Sequence, residues 1–360
     1  MTPAHATPPP HCPPPFSAGR GNGIVVAVLS IVMALTACAS LPTGISTDAP
    51  RPAAIAYIAR DDGTLLARHA PVIVTPAAPA YNRIGSPAVR RNRLGRPEVY
   101  VDHRRPAFYV RQRSFEMGGA RFTNLIYRIH FERVPYLHLT SGNNSGLLVV
   151  ITLSSDGRPL LVTTVHTCGC YLAFVPTSYL PPSAWPAGWN PQGQRVFGIR
   201  LPGRLDYPAD FRPTLRPLVV LRGATHRVTD LRLADLATGE GLAPYGREHI
   251  PLRPVTDLDR LPLPDGEGVT SFFHETGPSR GYVKNAFKPF ELLLMSWWVL
   301  DPHVGMDKRY GPRDETGTVF YTSMWPWYRK ASDMWEFPAF LDFWGWKLGS
   351  EDRGQRAEDG

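Results

Sequence analysis

Proline sets the first limit on this chain: 38 of its 360 residues are proline, about twice the usual share. Each proline holds φ near one value, lacks an amide hydrogen and disrupts a helix interior, so the spacing favours short strands and loops over long helices. Between Pro176 and Pro217 the prolines are too dense for central strands. That stretch reads as surface loops and edge segments packed by Trp185, Trp189 and Phe197. A second dense stretch, between Pro251 and Pro264, reads as a boundary.

Within these limits the apolar pattern is mostly two-residue. In 125–131, Leu125, Tyr127, Ile129 and Phe131 face one way and Ile126, Arg128 and His130 the other, which predicts a half-buried strand. Residues 147–153 and 160–165 flank Ser154-Ser155-Asp156-Gly157-Arg158-Pro159, a hairpin whose turn is Asp156-Gly157. Shorter strand-like runs occupy 70–75, 98–102, 108–111 and parts of 218–236. Residues 290–300 differ: a nearly continuous apolar run with one β-branched member, Val299, predicts a buried helix too short to span a bilayer. No internal repeat is present, which disfavours solenoids and propellers. The expected fold class is α+β, mainly antiparallel β over 55–264, with a helical, aromatic-rich portion over 265–348 packed on it in the same domain. A polar, frayed tail from Gly349 completes the chain.

The N-terminus carries an address. Residues 24–35 have the length of a signal-peptide apolar region, Arg20 supplies the positive flank, and Leu35-Thr36-Ala37-Cys38 closes the run. This segment resembles the bacterial lipoprotein signal family. The resemblance implies that residues 1–37 are removed and that Cys38 becomes a lipidated N-terminus carrying diacylglycerol and an N-acyl chain. Ala39 and Ser40 follow where that family's inner-membrane retention signal would have Asp, so an outer-membrane anchor facing the periplasm is implied. Residues 38–54 then read as a tether. The Pro-rich leader, with Cys12, reads as an overlong n-region or a start codon placed too far upstream.

Charge adds little. The formal +8 comes overwhelmingly from arginine, with lysine only at 284, 288, 308, 330 and 347, which resembles the bias of a GC-rich genome. Nucleic acid is therefore not an expected partner; the membrane, through the lipid, and an envelope glycan or protein are.

One constellation carries chemistry: His166-Thr167-Cys168-Gly169-Cys170-Tyr171, at the end of the hairpin. In a straight strand the Cα atoms of His166 and Cys170 would stand about 13 Å apart, too far to share one ion. A bend is required, and Gly169 is where it would fall. Given the bend, two thiolates and an imidazole suit Zn or Cu(I), with His130 or His138 as a further ligand. The same residues also suit an exchangeable disulfide, a cysteine nucleophile with His166 as base, a permanent Cys168–Cys170 disulfide natural in an oxidising compartment, or two buried thiols. No residue is assigned a catalytic role.

Other polar groups read as structural. His274-Glu275, Asp301, His303 and Asp307 are expected as helix caps or loop hydrogen bonds, and no common hydrolase, metalloprotease, nucleotide-binding or dinucleotide-binding motif occurs. Trp297, Trp298, Trp325, Trp327, Trp335, Trp344 and Trp346 crowd the last third. Core packing is the favoured reading of that crowding, over contact with membrane or glycan.

Overall fold

A computed structural model describes residues 52–349. The leader, Cys38, most of the tether and the tail beyond Gly349 lie outside the described residues. In chain order the first strands are β1 (Ala54–Ala59), β2 (Val72–Pro76), β3 (Ile84–Arg91), β4 (Pro97–Asp102) and β5 (Phe108–Met117). The long central strands follow as β6 (Ala120–Val134), β7 (Gly142–Leu153), β8 (Pro159–His166) and β9 (Ala173–Pro176). After β10 (Gln194–Val196) and β11 (Ile199–Leu201) come β12 (Leu215–Leu221), β13 (Val228–Asp235), β14 (Gly246–Ile250) and β15 (Leu252–Pro254). The helices are α1 (Leu65–His69), α2 (Pro289–Val299), α3 (Arg313–Thr316) and α4 (Phe337–Phe343).

Two main sheets organise most of these strands, while β10 and β11 pair with each other. The larger runs β15-β5-β6-β7-β8-β9, with β3 pairing to β6 and β4 to β3; the smaller runs β13-β12-β2-β1-β14. Most pairings are antiparallel; β15 with β5, β12 with β2 and β1 with β14 are parallel. The fold is α+β, mainly antiparallel sheet, as the pattern predicts.

Side-chain alternation divides the core. Leu125, Tyr127, Ile129 and Phe131 of β6, with Leu147 and Val149 of β7, face the smaller sheet and meet Tyr57, Ile73, Val219 and Ile250. The opposite face carries Ile126, Leu148 and Val150, which meet Phe320, Phe340 and Trp346 of the C-terminal portion. Burying one such side chain contributes about 1.5–3 kcal/mol. The long β6–β7 ladder is therefore held from both sides.

Three expectations need correction. First, β6 is not half-buried: Ile126, Arg128 and His130 are as enclosed as the other face, because the C-terminal portion covers what an isolated sheet would leave to water. Second, 290–300 is helical but not buried. Of α2, only Glu291 and Val299 are buried; the helix is held by a charged residue and turns its apolar stripe outward. Third, Phe197 is about half exposed, whereas Trp185 and Trp189 do pack against the second core cluster. No described helix is long and apolar enough to cross a membrane.

Candidate functional site

The site forms where β8 ends. His166 lies opposite Leu147, and Leu147 opposite Ile129, so its ring projects to the side of the smaller sheet. The chain then turns. The Gly169 amide donates to His166 O at 2.7 Å and the His166 amide to Cys170 O at 2.9 Å, so the strand folds back on itself. Gly169 sits at φ +90°, where a side chain is strained, and an added Cβ would lie 2.0 Å from Tyr321 O. The bend placed at Gly169 by the spacing argument is thus present, and only glycine fits there.

The turn brings Cys168 and Cys170 to a Cα separation of 5.6 Å, joined as a disulfide. The ligand atoms of His166, Cys168 and Cys170 all lie within 4.8 Å of one another, so this group could hold a metal ion. Cys168 and His166 are buried and Cys170 is half-buried. The His166 Nε2 lies 3.1 Å from His226 O; a carbonyl only accepts, so Nε2–H donates and Nδ1 keeps its lone pair. Burial, then the Lys288 charge, pushes His166 down to about 4, so the imidazole is neutral at neutral pH. His226 repeats the arrangement against Tyr81 O at 3.0 Å and stacks on Phe131 at 3.9 Å between ring centroids.

His130 does not join this group. It pairs with Gly146 beside the Ile129–Leu147 row, so its ring projects to the opposite face from His166. There it is fully buried, edge-on to Tyr109 and Phe272, with no hydrogen-bond partner on either ring nitrogen. The strand's two-residue period separates the two histidines. His138, in the loop after β6, also lies outside the group. His274 is partly exposed and Glu275 is exposed. Asp301 does act as a loop acceptor, its Oδ1 taking the His303 amide at 2.8 Å.

Behind the turn lies a buried set of charges that the sequence reading did not assemble. Asp307 Oδ1 accepts from the Gly146 amide at 3.2 Å and from the Thr167 hydroxyl, and Asp307 Oδ2 meets Lys288 Nζ at 3.1 Å. Glu291 stands 4.0 Å from the same ammonium. Burial pulls Lys288 down, but Asp307 and Glu291 more than offset it, leaving its pKa above the ordinary lysine value. Lys308 is fully buried, donates to Cys168 O, and sits 4.0 Å from the centre of the Tyr321 ring. With no carboxylate in direct contact, burial dominates and Lys308 is pushed down to about 8. Tyr321 in turn donates to Asp301 Oδ2. A cation therefore abuts the first cysteine's peptide, the kind of surroundings that stabilise a thiolate.

A signal for this network existed in the sequence. Lysine is rare in this arginine-rich chain, and two of its five lysines are the ones buried here. A compact ammonium on a flexible stem fits a closed pocket where a planar guanidinium does not. Comparison with protein-family models, with curated proteins and with solved structures returned no match. Function must be argued from these residues.

Proposed function

We propose that this is a lipid-anchored protein of the cell envelope, tethered through Cys38 to the outer membrane on its periplasmic side, whose chemical centre is a soft-metal site formed by His166, Cys168 and Cys170 in their dithiol state. The observation that carries the metal reading is the convergence of the three donor atoms within 4.8 Å. The neutral His166 ring, with Nε2 held by His226 O, matches the pattern in which a ligating histidine is oriented through its second nitrogen. Two sulfurs and one imidazole suit Zn or Cu(I), with one position left open. The disulfide must first be reduced: a dithiol donor gives up two electrons and two protons and becomes a disulfide itself. The two thiols formed then release their protons as the ion binds.

The test uses protein reduced with a phosphine, freed of reductant and titrated with Zn(II), and in parallel with Cu(I) under a competing chelator. About one equivalent should bind, and His166→Ala and Cys168→Ser should each abolish it. Reduced protein that binds neither ion overturns the metal reading. Mass spectrometry of the mature N-terminus tests the tether separately: an unmodified Cys38, or a retained leader, overturns it.

The Cys168–Cys170 bond itself favours a second reading. In it the disulfide is a permanent clasp of the turn, and the protein is a non-enzymatic envelope-assembly or surface-binding lipoprotein. A redox role would require that an added dithiol reduce the bond reversibly in folded protein. Resistance to thiol exchange in the folded chain favours the clasp.

A further inference from the structure

Helix α2 is inside out. Its stripe at i, i+3, i+4 and i+7, Phe290, Leu293, Leu294 and Trp297, is exposed, with Leu293 at 75% and Trp297 at 73%, while the residues driven inward are the charged Glu291 and, at the last turn, Val299. An amphipathic helix normally does the reverse. The exposure is not confined to α2. The 135–141 loop presents Tyr136, Leu137 at 94% and Leu139, and its neighbour Gly142 lies against Phe287 and Lys288 at the start of the helix. On the other side Trp325 packs on Trp298 and stacks with the exposed Trp327, while Arg329 donates to Val299 O. Of the fourteen large hydrophobic side chains exposed among the described residues, only Leu94, Phe197 and Val269 fall outside these three adjoining segments, leaving eleven within them. A soluble surface rarely groups so many.

We propose that this face docks on a bilayer, seating its Trp, Phe and Leu side chains at the headgroup–acyl boundary. The chemistry favours lipid over a protein groove. Across 135–142, 286–300 and 323–330 the only acidic side chain is Glu291, and it is buried against Lys288. The exposed ionic group at the edge is Lys330, which suits anionic headgroups. Aromatic residues with a wet N–H and an apolar ring belong at that depth. The proposal also draws on the lipid-tether reading: fourteen residue steps separate Cys38 from Pro52, at most about 50 Å of extended chain. A tether of that reach lets three weak apolar contacts act at high local concentration.

Tryptophan fluorescence tests this without interference from the tether, because all nine tryptophans lie between residues 185 and 346. Full-length protein is reconstituted on vesicles of brominated phosphatidylcholine mixed with phosphatidylglycerol. Part of the emission should be quenched, most of that part should be lost in a Trp297→Phe/Trp327→Phe variant, with Trp325 accounting for the remainder, and high salt should reduce it. Leu293→Glu should lower the docked-to-undocked ratio read from the quenching roughly tenfold, the factor that about 1.4 kcal/mol represents. A second readout guards against misfolding: the Leu293→Glu chain should keep the wild-type circular dichroism and urea midpoint, since its side chain is exposed. Emission indifferent to brominated lipid, or burial that grows with protein concentration in the absence of lipid, overturns the proposal; the latter assigns the face to a protein contact. Quenching that persists when Cys38 is found unmodified upholds the docking face and overturns only the tether.

Discussion

Replacing Asp307 by Asn removes the charge and turns an amide N–H towards Lys288 in place of Oδ2, so it tests the value of the buried ion pair behind the candidate site. Asp307 and Lys288 are 1% and 3% exposed in their side chains, with Nζ and Oδ2 3.1 Å apart. The amide oxygen of Asn can still accept from the Gly146 amide and the Thr167 hydroxyl, so those two contacts survive. At that separation the Coulomb attraction is about 5 kcal/mol with an effective dielectric of about 20, and breaking one side of a buried pair typically costs about 3–5 kcal/mol. Domains of this kind are stable by about 5–15 kcal/mol. Asp307→Asn should therefore remove a large part of the total. Urea unfolding followed by tryptophan emission measures it, with Lys288→Met and the double variant completing a cycle. Each single change should cost about 3–5 kcal/mol, while the double should cost about 3 kcal/mol less than their sum. The loss in Asp307→Asn should also shrink as pH rises. With its main partner neutral, burial depresses the Lys288 pKa, and a base with a depressed folded-state pKa favours folding as pH increases. A loss below about 1 kcal/mol, or strict additivity in the double variant, would refute the reasoning.

Gly169→Ala combines φ +90° with a Cβ placed 2.0 Å from a backbone oxygen, so it should lower stability by at least about 2 kcal/mol; a wild-type urea midpoint would contradict this. Acid should destabilise the protein through histidines kept neutral by burial. His166 and His69 are pushed down to about 4 and His226 to about 3, from an ordinary 6.5, so the unfolded chain gains protons first as pH falls. Stability should be full above pH 6.5 and fall towards pH 4, by up to about 1.4 kcal/mol per histidine per pH unit; a flat urea midpoint across that window would exclude it. Tyr321→Phe removes the hydroxyl that donates to buried Asp301 and should cost about 1.5–3 kcal/mol, a loss absent if Asp301 finds another donor.

Much of the fold was legible because strand alternation and turn chemistry are local. The 154–159 turn needs Gly157, at φ +81°, and the Ser154 amide closes on Arg158 O at 2.9 Å. The bend at Gly169 followed from bond lengths alone, since a straight strand could not bring His166, Cys168 and Cys170 together. The helix of 290–300 was likewise visible as an apolar run with little β-branching.

What the chain could not reveal by itself were the relations between distant segments. His130 and His166 look equally available as ligands until sheet register places them on opposite faces. Whether the apolar stripe of α2 is core or surface depends on Glu291 finding Lys288 within a pocket closed by Asp307, a pairing that no periodicity encodes. Local propensity and stereochemistry decide which elements form and where the chain turns. Which face is covered, and which charges share a dry interior, depends on desolvation and partner distance, and these come into being only when the segments meet.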